Sequence, residues 1–173
     1  MHLNLRRQYL QNDASGHAYW QPQLQRQEWS MATMALLLCD VWDKHWCRGA
    51  TERLDAMVER MDQVVRQLRA SGVQIIHAPS DTMDFYADTP ARQRVVEVPS
   101  VTPPAELPWD DPPLPLDASD GGSDTGESES YKAWHRQHPA ISIDQECDGI
   151  TDNGQELYNF FNARGITHML IMG

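Results

Sequence analysis

The sequence predicts an α/β domain with a mostly parallel sheet, and three observations predict it. Short apolar runs without polar alternation recur at about 35–40, 73–78 and 166–172, as strands buried on both faces require. Leu54, Met57, Val58, Met61, Val64, Val65 and Leu68 separate the first two runs, at the i, i+3, i+4, i+7 spacing that gathers them on one helical face. Strand, helix and strand follow within about 45 residues, which makes a βαβ unit with parallel strands and a right-handed crossover.

Residues 1–30 are polar and rich in glutamine, with Tyr9, Tyr19, Trp20 and Trp29 scattered through them. They read as an N-terminal arm lying across the domain, with little regular structure of its own. The domain proper spans 31–173. Its first strand, Ala35-Leu36-Leu37-Leu38-Cys39, runs into Asp40. In the helix that follows, Glu52 and Asp55 sit near the positive end, and Arg66 and Arg69 near the negative end, as the helix dipole prefers. Gly72 supplies the left-handed residue that ends it. Val73 to Ala78 forms the second strand, closed by Pro79. Thr89-Pro90 opens a short helix through Arg94, with threonine as cap and proline at the first helical position.

Residues 99–130 differ in kind. Pro99, Pro103, Pro104, Pro108, Pro112, Pro113 and Pro115 precede the run Asp117-Ala118-Ser119-Asp120-Gly121-Gly122-Ser123-Asp124, a composition that favours an irregular surface excursion. The regular pattern then resumes, so the excursion lies within the domain. Ala140-Ile141-Ser142-Ile143 is a third strand candidate. Asp152 to Arg164 is a second helix, with Asp152 and Gln155 at capping-box spacing, Leu157, Tyr158, Phe160 and Phe161 turned inward, and Gly165 ending it. Ile166 to Met172 is the last buried strand.

A net charge of −11 and an isoelectric point near 4.9 repel phosphate backbones and anionic lipid headgroups, so neither nucleic acid nor a membrane is an expected partner. Mean hydropathy is −0.58, and the longest apolar run, Met34 to Cys39, falls far short of a bilayer span. No signal-peptide pattern follows Arg6-Arg7. The three cysteines, Cys39, Cys47 and Cys147, show no CxxC spacing, which favours a reducing, cytoplasmic setting.

Ligands of open α/β sheets bind outside the carboxyl ends of the strands. Asp40 stands there after the first strand, and Ser80-Asp81 after the second. A carboxylate beside a triple-leucine strand is a candidate general base. Trp42 and Trp46 flank the same place and suit stacking on a planar substrate, or packing against the arm. Asp117, Asp120 and Asp124 lack the alternating ligands and closing glutamate of an EF-hand, and turn-forming roles suit them better.

The string Leu37-Leu38-Cys39-Asp40-Val41-Trp42-Asp43-Lys44-His45-Trp46-Cys47 resembles the opening strand and loop of the isochorismatase-like cysteine hydrolases, the superfamily that includes nicotinamidases. The resemblance continues through the following helix, the strand in "GVQIIHAPSD" and the final "NARGITHMLIMG". It implies a three-layer α/β/α fold and hydrolysis of a C–N bond in a small amide or related small molecule. In the family an Asp, Lys, Cys triad does the work: the aspartate deprotonates a thiol, and the thiolate forms a thioester that water hydrolyses. Asp40 matches the aspartate. Trp42, His45, Trp46 and Asp81 would then line the substrate pocket.

Two departures from the family pattern stand out. The lysine position falls near Glu146, in Asp144-Gln145-Glu146-Cys147-Asp148, where the glutamate is a catalytic candidate only as a proton relay with Asp40. The family's cysteine follows the strand matching 166–172, so the nucleophile is expected beyond Gly173 and the domain is expected to be incomplete at its C-terminus. Of the cysteines present, Cys39 reads as a core residue. Cys47 reads as a residue of the loop near the active-site rim that does not open a helix at the right strand end, and Cys147 as a thiol opposed by the charges of Glu146 and Asp148. Nicotinamidases hold zinc or a similar ion with an Asp-x-His after the second strand. Here Ser80-Asp81-Thr82-Met83-Asp84 departs from that motif, so no metal ligand and no cofactor is assigned. The missing lysine supports a second reading, a non-catalytic relative that binds a small ligand or serves as an assembly subunit. The resemblance also makes a homo-oligomer an expectation.

Overall fold

The computed structural model describes residues 1–108 and 122–173. An antiparallel hairpin comes first, β1 (His2–Asn12) and β2 (Ala18–Glu28). A single 3-10 turn (Met31–Thr33) leads into β3 (Met34–Cys39), α1 (Arg48–Ala70), β4 (Gln74–Ala78), the one-turn α2 (Met83–Tyr86), α3 (Pro90–Val96), β5 (Gly149–Ile150), α4 (Gly154–Arg164) and β6 (His168–Met172). The last four strands form one sheet in the order β5-β4-β3-β6, paired parallel throughout.

Alternation along the central strands divides the core. Leu36, Leu38 and Ile75 point to one face, where Val58, Met61 and Val65 of α1 cover them. Leu37 and Ile76 point to the other, where Val95 of α3 and Phe160 of α4 meet them. Both central strands are therefore buried on two sides, which is why their sequences show no polar alternation. Of the helical stripe, Met57 departs: it is 46% exposed and turns toward the strand ends instead of the core.

The caps follow the residue chemistry closely. Gly72 takes φ 86 just past α1, and Thr89 accepts from the N–H of Arg92 at the start of α3. The cap of α4 is Asn153, one residue later than the capping-box spacing suggests. Its side chain accepts from the N–H groups of Gln155 and Glu156, while Asp152 turns away to accept from the N–H of Asp81 at 3.0 Å.

Three further expectations are corrected. Residues 1–30 are not irregular: two eleven-residue strands pair in full register from His2↔Glu28 to Asn12↔Ala18. Ala140–Ile143 is not a strand. Ile141 is buried in the α1 core, and the polar backbone beside it is satisfied by side chains. Asp62 accepts from the N–H of Ser142 at 2.7 Å, and Arg69 donates to its carbonyl at 2.9 Å. β6 is buried on one face only, because Leu170 and Met172 pack toward α1 while Met169 and Ile171 are 40% and 63% exposed. The excursion lies partly outside the described residues, Asp117 and Asp120 included. In its described parts, 99–108 and 122–130, it has no helix or strand.

Candidate functional site

Parallel pairing of Leu38 with Met172 brings the carboxyl ends of β3 and β6 side by side. A cavity of about 310 Å³ opens there, lined by Asp40, Trp42, Lys44, His45, Ala50, Arg53, Leu54, Met57 and Gly173. A second cavity, of about 340 Å³, lies at the opposite, amino end of the sheet beside Arg69, Cys147 and Asp148. In open parallel sheets ligands bind outside the carboxyl ends of the strands.

Asp40 leaves β3 with φ 54, and Asp81 follows β4 with φ 61. Such backbone is uncommon outside glycine, and aspartate is among the residues that tolerate it. At Asp40 the turn is pinned twice: its N–H donates to the carbonyl of Ala78 at 3.0 Å, and its Oδ1 accepts from the N–H of Ser80 at 3.0 Å. The carboxylate is thus fixed at the junction of β3 and β4, half-buried.

The wall is aromatic. Trp42 stacks on Trp134 at 4.0 Å and 11°, and both indoles donate to the carbonyl of Ser80 at 3.1 Å. The ring of His45 lies parallel to both indoles at 6.0 Å. Its Nδ1 accepts from the N–H of Cys47 at 3.0 Å, so in the neutral ring the proton sits on Nε2. Trp134 was not among the sequence candidates. Its segment has no periodicity of its own, and it reaches the site through an extended stretch along 41–43, where Asp43 donates to Arg136 and His138 to Val41.

The other candidates are placed elsewhere. Trp46 touches His45 at 5.1 Å without lining the cavity. Asp81 is exposed in a separate depression with Met83, Asp84, Lys132 and Asp152, and Lys132 donates to its carbonyl. Glu146 is exposed and precedes β5 at the amino end of the sheet, next to the start of β4, where Gln74 donates to the Cys147 carbonyl at 2.9 Å. Asp40 stands at the opposite end, so a relay between the two is not formed. The cation that shares the cavity with Asp40 is Lys44, together with Arg53, which pairs with Asp124.

None of the three thiols lines this cavity. Cys39 is exposed rather than core. Desolvation of its sulfur, followed by the Asp40 carboxylate, pushes its pKa up. The Cys147 thiol is pushed up to about 11, by burial first and then by Asp148 and Asp144. Cys47 is the N-cap of α1, the helix after β3 rather than one after the last strand. Its pKa is held below the usual thiol value by the N–H of Ala50 first, then by the Ser123 hydroxyl. The sulfur is only 3% exposed, closed over by Ser123, Asp124 and Thr125 at 3.6–3.8 Å.

Among the described residues, no three His, Cys, Asp or Glu side chains converge as a metal-ligand set. No described helix is long and apolar enough to cross a membrane. Comparison of the sequence with models of known protein families finds no match, and comparison with curated proteins finds none either.

Proposed function

We propose that this is an isochorismatase-like domain of three-layer α/β/α type that hydrolyses a C–N bond in a small amide or related small molecule. The observation that carries the reading is the shared cavity of Asp40 and Gly173. The resemblance puts the family's cysteine a few residues after the strand that matches β6. A thiol entering there would stand beside Asp40, the base that takes its proton. Lys44 supplies the positive charge that the triad needs and that position 146 lacks. Trp42 and His45 offer flat rings to a planar acyl group, Trp42 steadied by its stack on Trp134, and the cavity's size suits a small molecule. No cofactor enters this reading.

A chain extended past Gly173 with a cysteine after β6 is expected to form a covalent acyl adduct with some small amide, detected by intact mass. Asp40→Asn is expected to abolish it, and Lys44→Met to slow it by about 10²-fold or more, the range of one positioned charge or proton-transfer group. The 173-residue chain is expected to form none. An adduct on Cys47 of that chain would overturn the assignment of the site. The glutamate at position 146, where the resemblance calls for lysine, supports a second reading, a small-ligand-binding or assembly subunit. That reading takes over if the extended chain binds amides without turning them over.

A further inference from the structure

We infer that the β1–β2 hairpin is an exchange arm that docks on the body of a second copy of this chain. Eleven-residue strands make a ribbon roughly 35 Å long, and an isolated two-stranded hairpin is marginal in water without a surface to cover. Among the described residues, this one is tied to the body only at its base. There Trp29 packs against His168 at 4.4 Å, and Met1 and Trp29 lie against the α1 core.

Register separates the ribbon's two faces. Leu3, Leu5, Arg7, Tyr9 and Gln11 share one with Tyr19 and the glutamines of β2, and Leu3 and Leu5 are half-buried at its foot. The other pairs Leu10 with Trp20, Gln8 with Pro22, Arg6 with Leu24 and Asn4 with Arg26. Every residue of this second face is exposed, Leu10 at 43%, Trp20 at 46% and Leu24 at 76%. It is an apolar strip edged by the guanidinium groups of Arg6 and Arg26, with the His2–Glu28 pair at its foot, so its formal charge is +1, and no described element packs on it.

Charge selects the occupant. Residues 1–30 carry three arginines against two carboxylates, net +1, which leaves −12 on residues 31–173. The cationic strip therefore fits the acidic body of its own kind. Pairing of β1 edges across a two-fold axis would instead set Arg6 and Arg7 against their copies, and Pro22 removes an N–H from β2. The arm's own body is a poor receptor, because one residue, Trp29, joins the ribbon to Ser30 and the 3-10 turn. One face of the ribbon covers roughly 350 Å². A two-fold pair that exchanges arms buries such a face and its receptor on each copy. That is roughly 700 Å² per copy, near the ~800 Å² of a standard interface.

The test uses the 173-residue chain carrying a benzoylphenylalanine photocrosslinker in place of Leu24, mixed as equal parts of ordinary and heavy-isotope-labelled protein. Sedimentation is expected to show a dimer, weakened by salt. Crosslinks are expected to join ordinary to labelled copies and to land within 31–173. Arg6→Glu with Arg26→Glu is expected to weaken the dimer by about tenfold or more with an unchanged circular dichroism spectrum, while Tyr9→Gln on the opposite face leaves it intact. A monomer, crosslinks confined to one copy, crosslinks only between hairpins, or a dimer indifferent to the charge reversals would each overturn the proposal.

Discussion

His77 is wholly enclosed in the middle of β4, with Nδ1 facing the amide oxygen of Gln137 at 2.9 Å and Nε2 facing Asp148 at 3.0 Å. Arg69 donates to the same carboxylate from α1. Burial alone would raise the pKa of Asp148, but His77, Arg69 and the N–H of Asp144 overcome it and hold the group at about 2. A folded pKa below the unfolded value near 3.9 contributes stability that is complete above the unfolded value and lost as pH falls through the folded one. Urea midpoints are therefore expected to drop between pH 5 and pH 2. Asp148→Asn should cost about 3–5 kcal/mol at neutral pH, because it strands Arg69 beside a neutral group, and should remove this residue's share of the acid dependence. An unchanged acid limb in that variant would contradict the assignment. In the sequence Asp148 registers only as a neighbour of Cys147, because its partners lie 71 and 79 residues away. Asp40 has distant partners too, the Ala78 carbonyl and the Ser80 N–H, but its place at the end of β3 follows from the apolar run that precedes it.

At the scale of elements, legibility tracks how much of each element's energy is local. β3, α1, β4, α3 and α4 form on the apolar periods that announce them, but two helix starts shift: α1 begins at Arg48 with no acid in its first turn, ahead of Glu52 and Asp55, and α4 is capped by Asn153 in place of Asp152. β5 has two residues, and one is Gly149. An added Cβ there would stand 2.8 Å from Ile76 and 2.9 Å from Val95, so the pairing depends on a close approach that no local pattern announces. The hairpin is not announced by any period, because its few apolar residues are split between the two faces, Leu3 and Leu5 on one and Leu10, Trp20 and Leu24 on the other, with glutamine and arginine between them. The described parts of the excursion, 99–108 and 122–130, have no helix or strand, yet they are held. Val101 bonds Asn159 and Gln155 of α4, and Thr125 and Glu127 accept from the first N–H groups of α1 at Gly49 and Arg48. Replacing 104–120 by a short Gly-Ser linker is expected to cost under about 1 kcal/mol, because closure entropy changes slowly with loop length. Extending the deletion through 123–127 should cost about 1–2 kcal/mol more, as caps of this kind do. Equal urea midpoints for the two deletions would show that the α1 start needs no such partner.

For the whole molecule, the described residues divide into a body with two cores and an arm outside them. Every core residue buried on either face of the sheet lies between Met34 and Phe160, and the arm adds only half-buried Leu3 and Leu5 at its foot, with Met1 and Trp29 against the α1 core. Stability follows apolar area removed from water, at about 25 cal/mol per Å², so folding of the body is expected to be nearly indifferent to the ribbon. Joining Met1 directly to Trp29 removes β1 and β2 while keeping both residues that touch the core. The urea midpoint of that shortened chain, measured at a concentration where the full chain is monomeric, is expected to stay within about 1 kcal/mol of the original. Its m-value should fall with the loss of structured surface only if the ribbon unfolds together with the body. Amide exchange in the full chain distinguishes the same alternatives: β1 and β2 should open locally at low free energy, while β3 and β4 exchange only through global unfolding. Hairpin protection equal to that of β4 at that same dilution would place the arm inside the cooperative unit, and the division into body and arm would fail.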